Sequence, residues 1–317
     1  GYAIVDGVRI RDWKAGGHGD QSMLEVIMNS CNPGFIELGQ RLGKEKLFEY
    51  IRAYGFNEKT GVDMLGESQG IIFNPDNIGN VELATSSFGQ GNSVTPIQLV
   101  TAVSAAVNGG NLMQPYIVKR MLHPYTNEVL YEREPSIKRR VISEETSETM
   151  RYALEMVGAQ GSGKGAYIDG YRVGGKTGTA QKAKDGAYIS GEYILSFVGI
   201  APMDDPQLVV YVAIDNPKNT VQYGGVVAAP IARSILAEAL PYIGVEPREE
   251  QIEKKYLWTD TKYVTVPDFV GKEPKEIESS YLYNIEYHGE GTKVISQQPA
   301  AFSRTIEGGT VRLYLGN

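Results

Sequence analysis

Two glycine-flanked lysines, Lys164 and Lys176, lie in GAQGSGKGAYIDGYRVGGKTGTAQK, residues 158–182. Two chemistries compete for them. A glycine-rich turn ending in Lys cradles a phosphate when its backbone amides open a helix, whereas Lys-Thr-Gly on a sheet edge can handle a peptide carboxylate. The first reading fails at Lys164. Gly158, Gly163 and Lys164 keep the phosphate-loop spacing, but Gly165 stands where Ser or Thr must supply a magnesium-binding hydroxyl. A helical pattern also precedes this turn and an extended segment follows it, the reverse of the strand-then-helix order that a phosphate loop needs. Lys164 is therefore read as part of a flexible helix-to-strand turn. Lys176 heads Lys176-Thr177-Gly178-Thr179, on a strand that opens a run of sheet, and Ser30-Cys31-Asn32 stands at a helix end.

The other reactive side chains have plainer readings. Ser30 on its own is a helix-terminal hydrogen bonder. Cys31 is read as a small buried residue, since a catalytic thiol needs a His partner and a lowered pKa. His18, in GGHGD, is read as structural, and three scattered histidines without neighbouring Cys pairs imply no metal site. No cofactor is implied. Tyr223 either lines a cleft or makes the turn before the last helix, and Lys138-Arg139-Arg140 reads as a solvated face.

The elements that must position these residues follow from periodicity. Residues 20–55 carry apolar side chains at helical spacing, interrupted at Pro33 and Gly43. Residues 94–110 read as a helix with Pro96 in its first turn and Gly109 at its end, and 143–158 as a helix capped by Ser143. Segments 171–182, 193–202 and 207–217 read as strands, the last two as hairpin neighbours, and 226–244 as a final helix. Residues 247–263 are charged and unpatterned, as in a linker. Beyond them short apolar strands alternate with one helix-like segment, a second and smaller α+β domain.

Composition bounds the function. The 317 residues are enough for about two domains, with 42% hydrophobic residues to fill their cores. A formal charge of -7 offers no basic field for nucleic acid. One cysteine excludes an internal disulfide. The most apolar run, residues 208–214, is far too short to span a bilayer. The chain opens on Gly1 with neither an initiator Met nor a signal-like stretch, so it is expected to be the later part of a longer protein.

The ordered series GHG, NSCNPGF, GQGNSVTPIQLVTAVSAAVNGG, VGGKTGTAQ, SFVGIAP and YGGVVAAPIA resembles the transpeptidase domain of class B penicillin-binding proteins, whose motif set is S-x-x-K, S-x-N and K-T-G. Residues 264–315, with VPDFVGK, VISQQPA and GGTVRLYL, resemble a PASTA module. The resemblance implies an α/β (α+β) fold in which helices flank a central antiparallel sheet, incomplete here at its N-terminal side, followed by the small α+β PASTA domain. The expected division is 1–246 for the transpeptidase portion, 247–263 for the linker and 264–317 for the PASTA-like domain. One departure stands out: no serine in this chain has lysine three residues later, so the nucleophile and its general-base lysine are expected to lie upstream.

The implied activity is that of a peptidoglycan D,D-transpeptidase of the cell-division or sporulation type, working through a serine acyl-enzyme and blocked by β-lactams. Acyl transfer needs a hydroxyl nucleophile, a base, oxyanion donors and a proton source for the leaving amine. By resemblance, Ser30 relays that proton, the Asn32 amide holds a substrate carbonyl and Lys176 supplies positive charge beside Ser30. Thr177 and Thr179 offer hydroxyls to the substrate carboxylate, and Gly178 lets the peptide pair with the strand. The implied partners are peptidoglycan stem peptides, the lipid-linked precursor and a glycosyltransferase, at the outer face of the cytoplasmic membrane. Two alternatives are a D,D-carboxypeptidase or β-lactamase, in which water accepts the acyl group, and a non-catalytic wall-binding scaffold acting through the PASTA-like domain. For the latter, the aromatic surface on offer is Tyr281, Tyr283 and Tyr287.

Overall fold

The computed structural model describes residues 1–184, 187–255, 263–278, 280 and 282–316. It divides into two compact units, Gly1–Lys255 and Tyr256–Asn317. The first opens with a hairpin, β1 (Tyr2–Val5) and β2 (Val8–Arg11), followed by α1 (Met23–Asn29), α2 (Asn32–Leu42), α3 (Lys44–Ala53), α4 (Asn80–Ser87) and α5 (Pro96–Val107). Four short strands follow, β3 (Asn111–Met113), β4 (Arg120–Leu122), β5 (Val129–Glu132) and β6 (Ile137–Arg140), and then α6 (Glu144–Gln160). The sheet that carries Lys176 comprises β7 (Gly174–Lys184), β8 (Ala187–Ala201) and β9 (Leu208–Asp215), antiparallel in the order β7-β8-β9. Two helices close the unit, α7 (Gly224–Val227) and α8 (Ala229–Tyr242).

Alternation along β8 explains the layering. Phe197 and Ala201 point to one face, where Ala228, Ala229, Ala232, Leu236 and Leu240 of the α8 region bury them. Ile200 points to the other and joins Val107 at the end of α5, Leu154 within α6 and Met203 just past β8. A strand buried on both faces must be apolar at successive positions, and FVGIA, residues 197–201, is. The N-terminal hairpin packs separately, Val5 against Ile36 and Ala84.

The helices begin where their caps dictate. Ser22 and Glu25 form a reciprocal capping box on α1, Thr95 and Gln98 another on α5, and Ser143 accepts from the Thr146 amide at α6. The helical run breaks immediately before Pro33, as the spacing implied: α1 ends at Asn29 and α2 starts at Asn32. Pro33 occupies the first turn of α2, where its missing N–H leaves no bond unmade. The last helix is divided because Pro230 has no N–H to offer the Val226 carbonyl four residues back, so α7 and α8 are separate. Lys138-Arg139-Arg140 is not simply a solvated face: Arg139 donates to the Arg52 and Ala53 carbonyls at the end of α3 and pairs with Glu58 at 2.7 Å. That placement sets a cation against the negative end of a helix dipole.

Residues 247–255, read from the sequence as linker, lie along the first unit. The Gln251 side chain donates to the Ile168 and Tyr171 carbonyls, the Tyr167 hydroxyl donates to the Ile252 carbonyl, and the Lys255 amide donates to the Ala159 carbonyl. Residues 256–262 of that segment are outside the described residues, as is Tyr281. In the second unit β10 (Tyr263–Thr265) pairs with β13 (Arg304–Ile306), and β14 (Gly309–Gly316) lies between β11 (Tyr283–His288) and β12 (Lys293–Gln298). Val266, Phe269, Tyr283, Val294, Val311 and Leu313 form its core. Tyr283 is therefore a core residue, edge-on to Phe269, and Tyr287 presents an exposed ring. The helix-like part of this region is one 3-10 turn, Pro274–Glu276.

Candidate active site

Ser30 sits just past the end of α1. Its amide donates to the Ile27 carbonyl and that of Cys31 to the Val26 carbonyl, the paired bonds of a Schellman cap. The residue at the centre of such a cap is left-handed, and Ser30 has φ 54° and ψ 46°. Glycine is the usual occupant, so a serine held there bears strain of about 1 kcal/mol. Asn32 then opens α2, its amide donating to Asp12 Oδ1 at 3.2 Å and its side-chain Nδ2 to the Arg11 carbonyl at 3.1 Å. The β2 end thus fixes the orientation of the asparagine.

Lys176 reaches across from β7. Its Nζ donates to Ser30 Oγ at 2.6 Å and to the Thr177 carbonyl at 3.3 Å. No carboxylate is within ion-pair distance of it among the described residues. Burial without a counter-ion disfavours the charged form, and the ammonium pKa falls from 10.5 to about 8. The structure therefore brings together two motifs 146 residues apart through one short hydrogen bond.

The rest of the motif lines up along the same strand. Gly178 packs against Ser196 on β8, and Thr179 Oγ1 accepts from the Gly224 amide at 3.4 Å. Gly224 has to be glycine: a Cβ there would collide with the Ser196 carbonyl oxygen and stand 2.5 Å from that of Gly178. Close approach of α7 to β7 depends on this. The far edge of β7 has no strand partner among the described residues.

Three residues of the site were not singled out for it in the sequence. Ser162, in the turn after α6, shares a 3.0 Å hydrogen bond with the Thr177 hydroxyl, while its amide donates to the Met28 carbonyl of α1. The turn thereby ties the last turn of α1 to β7. Lys164 starts a 3-10 turn, Lys164–Ala166, and its Nζ donates to the Lys255 carbonyl. Trp13, whose Nε1 donates to the Asn29 carbonyl, meets Tyr223 edge-on at 5.6 Å. Tyr223 caps the start of α7, so this contact joins the residue before α7 to the segment that follows β2. Asp12, the third, holds His18 as well as Asn32.

The family model of the penicillin binding protein transpeptidase domain matches residues 1–237. Stage V sporulation protein D of Bacillus subtilis is 57% identical over 316 residues, which cover 99% of this chain and 49% of that protein. Penicillin-binding protein PbpB of Mycobacterium tuberculosis is 33% identical over 245 residues, 74% of this chain and 36% of that one. Among solved structures, penicillin binding protein 3 from Mycobacterium tuberculosis, complexed with ampicillin, aligns with a TM-score of 0.72 and 30% identity over 79% of this chain and 57% of its own. The transpeptidase domain of Burkholderia pseudomallei penicillin-binding protein 3 aligns with a TM-score of 0.69 and 32% identity, covering 78% and 71%. The chain spans about half the length of these curated relatives, or less. Both the matched family model and the fold that carries Ser30 and Lys176 into contact lead to one assignment: the chain belongs to the penicillin-binding protein transpeptidase family.

Proposed function

We propose that residues 1–255 form the S-x-N and K-T-G side of a peptidoglycan D,D-transpeptidase site, completed by an S-x-x-K serine from sequence outside these 317 residues. The observation that carries this is the 2.6 Å bond from Lys176 Nζ to Ser30 Oγ. With the ammonium donating to Ser30 Oγ, the serine's own proton is free to pass to the nitrogen of a departing D-Ala. The lysine then replaces it, and a pKa of about 8 lets the ammonium give up that proton near neutral pH. Asn32 Nδ2 would leave the Arg11 carbonyl to hold a substrate carbonyl. Thr177 and Thr179 would hydrogen-bond the terminal carboxylate, and the unpaired edge of β7 would take the peptide as an added strand. The Thr179 amide would be one oxyanion donor.

The proposal extends to partners and place. β-Lactams would occupy the D-Ala-D-Ala position; the M. tuberculosis protein is complexed with ampicillin. The cell-wall role implies the outer face of the cytoplasmic membrane and a glycosyltransferase partner. Residues 1–317 would act on the wall side of that membrane; among the described residues no helix is long and apolar enough to cross one. Residues 264–317 are proposed as a PASTA module. Incubating this chain with penicillin and recording its intact mass tests the assignment of the nucleophile. No adduct is expected, and a gain of one penicillin mapped to any of its serines would overturn it.

A further inference from the structure

We infer that Asp12, His18 and Cys31 bind a zinc-class dication beside the S-x-N segment, an inference independent of the transpeptidase proposal. One donor atom from each of the three residues lies within 4.8 Å of the other two. All three are enclosed: the side chains of Asp12 and His18 are 0% and 6% exposed, and Cys31 is 5% exposed. Asp12 carries a carboxylate out of water without a Lys or Arg partner among the described residues. Oδ1 accepts from the Trp13 and Asn32 amides, and Oδ2 lies 2.6 Å from His18 Nδ1. An enclosed anion balanced only by amides and an imidazole is costly unless further positive charge joins it.

The donor set selects the ion. Carboxylate oxygen, imidazole nitrogen and thiolate sulfur together suit Zn²⁺ or Co²⁺ rather than Mg²⁺ or Ca²⁺, with a fourth tetrahedral position left open. Zinc bonds of about 2.0–2.2 Å to N and O place two donors about 3.3 Å apart at the tetrahedral angle. His18 Nδ1 and Asp12 Oδ2 must therefore part by roughly 0.7 Å as the dication replaces the proton between them. The loop carrying His18 can give this much, because Gly16, Gly17 and Gly19 all have positive φ and the loop is largely exposed. Ion binding would deprotonate the Cys31 thiol. Since Cys31 lies between Ser30 and Asn32, and Asp12 holds the Asn32 amide, the ion would brace the segment that bears both residues.

Anaerobic titration of the reduced chain with Co²⁺ tests this. One equivalent should produce a near-ultraviolet thiolate-to-cobalt charge-transfer band and visible bands of tetrahedral intensity, both lost on adding Zn²⁺. Cys31→Ser should remove the charge-transfer band, and His18→Gln should weaken Co²⁺ binding at least about tenfold, while His123→Gln leaves both unchanged. Thermal melts of the metal-free variants report whether they fold. Absence of the charge-transfer band in the unmodified chain, which needs no variant, would overturn the site. So would unchanged Zn²⁺ affinity in a folded Cys31→Ser chain.

Discussion

Replacing Lys176 with Met should stabilise the first unit at neutral pH, although it removes the central hydrogen bond of the site. Burial lowers the lysine pKa from 10.5 in the unfolded chain to about 8 in the folded one. At pH 7 both states hold the proton, and the folded state bears the full cost of an enclosed charge. The difference of about 2.5 units corresponds to about 3 kcal/mol. Met bears no such cost but leaves the Ser30 hydroxyl without its donor, a loss of about 1 kcal/mol. The net gain of about 2 kcal/mol raises the melting temperature by roughly 4–8 °C for a unit of this size. Between pH 8 and 10.5 the unfolded chain binds the proton more tightly, so the unmodified chain gains stability with rising pH relative to the variant. The gap should close in that window and reverse by about 1 kcal/mol above it. Paired thermal melts of the two chains from pH 6 to 11 measure this difference. A variant less stable at pH 7, or a gap that does not change with pH, would refute a desolvated charged lysine.

Other perturbations isolate the supports of the site. Gly224→Ala should drive α7 from β7 and lower stability by about 1–3 kcal/mol, read from urea midpoints. Glu155→Gln removes the buried charge that pairs with Arg172 at 2.7 Å; because the guanidinium is one third exposed and keeps Asp204 and Glu250 nearby, the cost should be about 1–3 kcal/mol, that of the weakened charge-assisted hydrogen bonds. A chain ending at residue 255 should keep the melting temperature of the first unit. One ending at 246 should lose several degrees, because the bonds from Gln251, Ile252 and Lys255 go with it.

Much of the site was legible in the sequence because its motifs are local. A helix end at Ser30 and a strand through Lys176 follow from periodicity, and the two-faced apolar run of β8 marks the middle strand of the sheet. Ser162 was not legible. Its turn was read for the charge on Lys164, whereas the turn's contribution is a hydroxyl brought to Thr177 by glycines that permit close packing. Asp12 was hidden for another reason. Its partners His18 and Asn32 meet it only when the end of β2 folds over the start of α2, a contact that no spacing rule describes. The four short strands of residues 111–140 escaped because they run three or four residues each and their mixed side chains carry no clean alternation.

The proton-relay assignment is tested most directly by acylation rates in a protein where an S-x-x-K segment precedes these residues. With fluorescent penicillin as the probe, Lys176→Ala should slow acylation by about 10²-fold or more, as loss of a preorganised charge at a developing oxyanion or leaving group does. Lys164→Ala, whose side chain reaches the Lys255 carbonyl instead, should leave the rate unchanged. Equal and mild effects from both substitutions would contradict the assignment of Ser30 and Lys176 as the working pair.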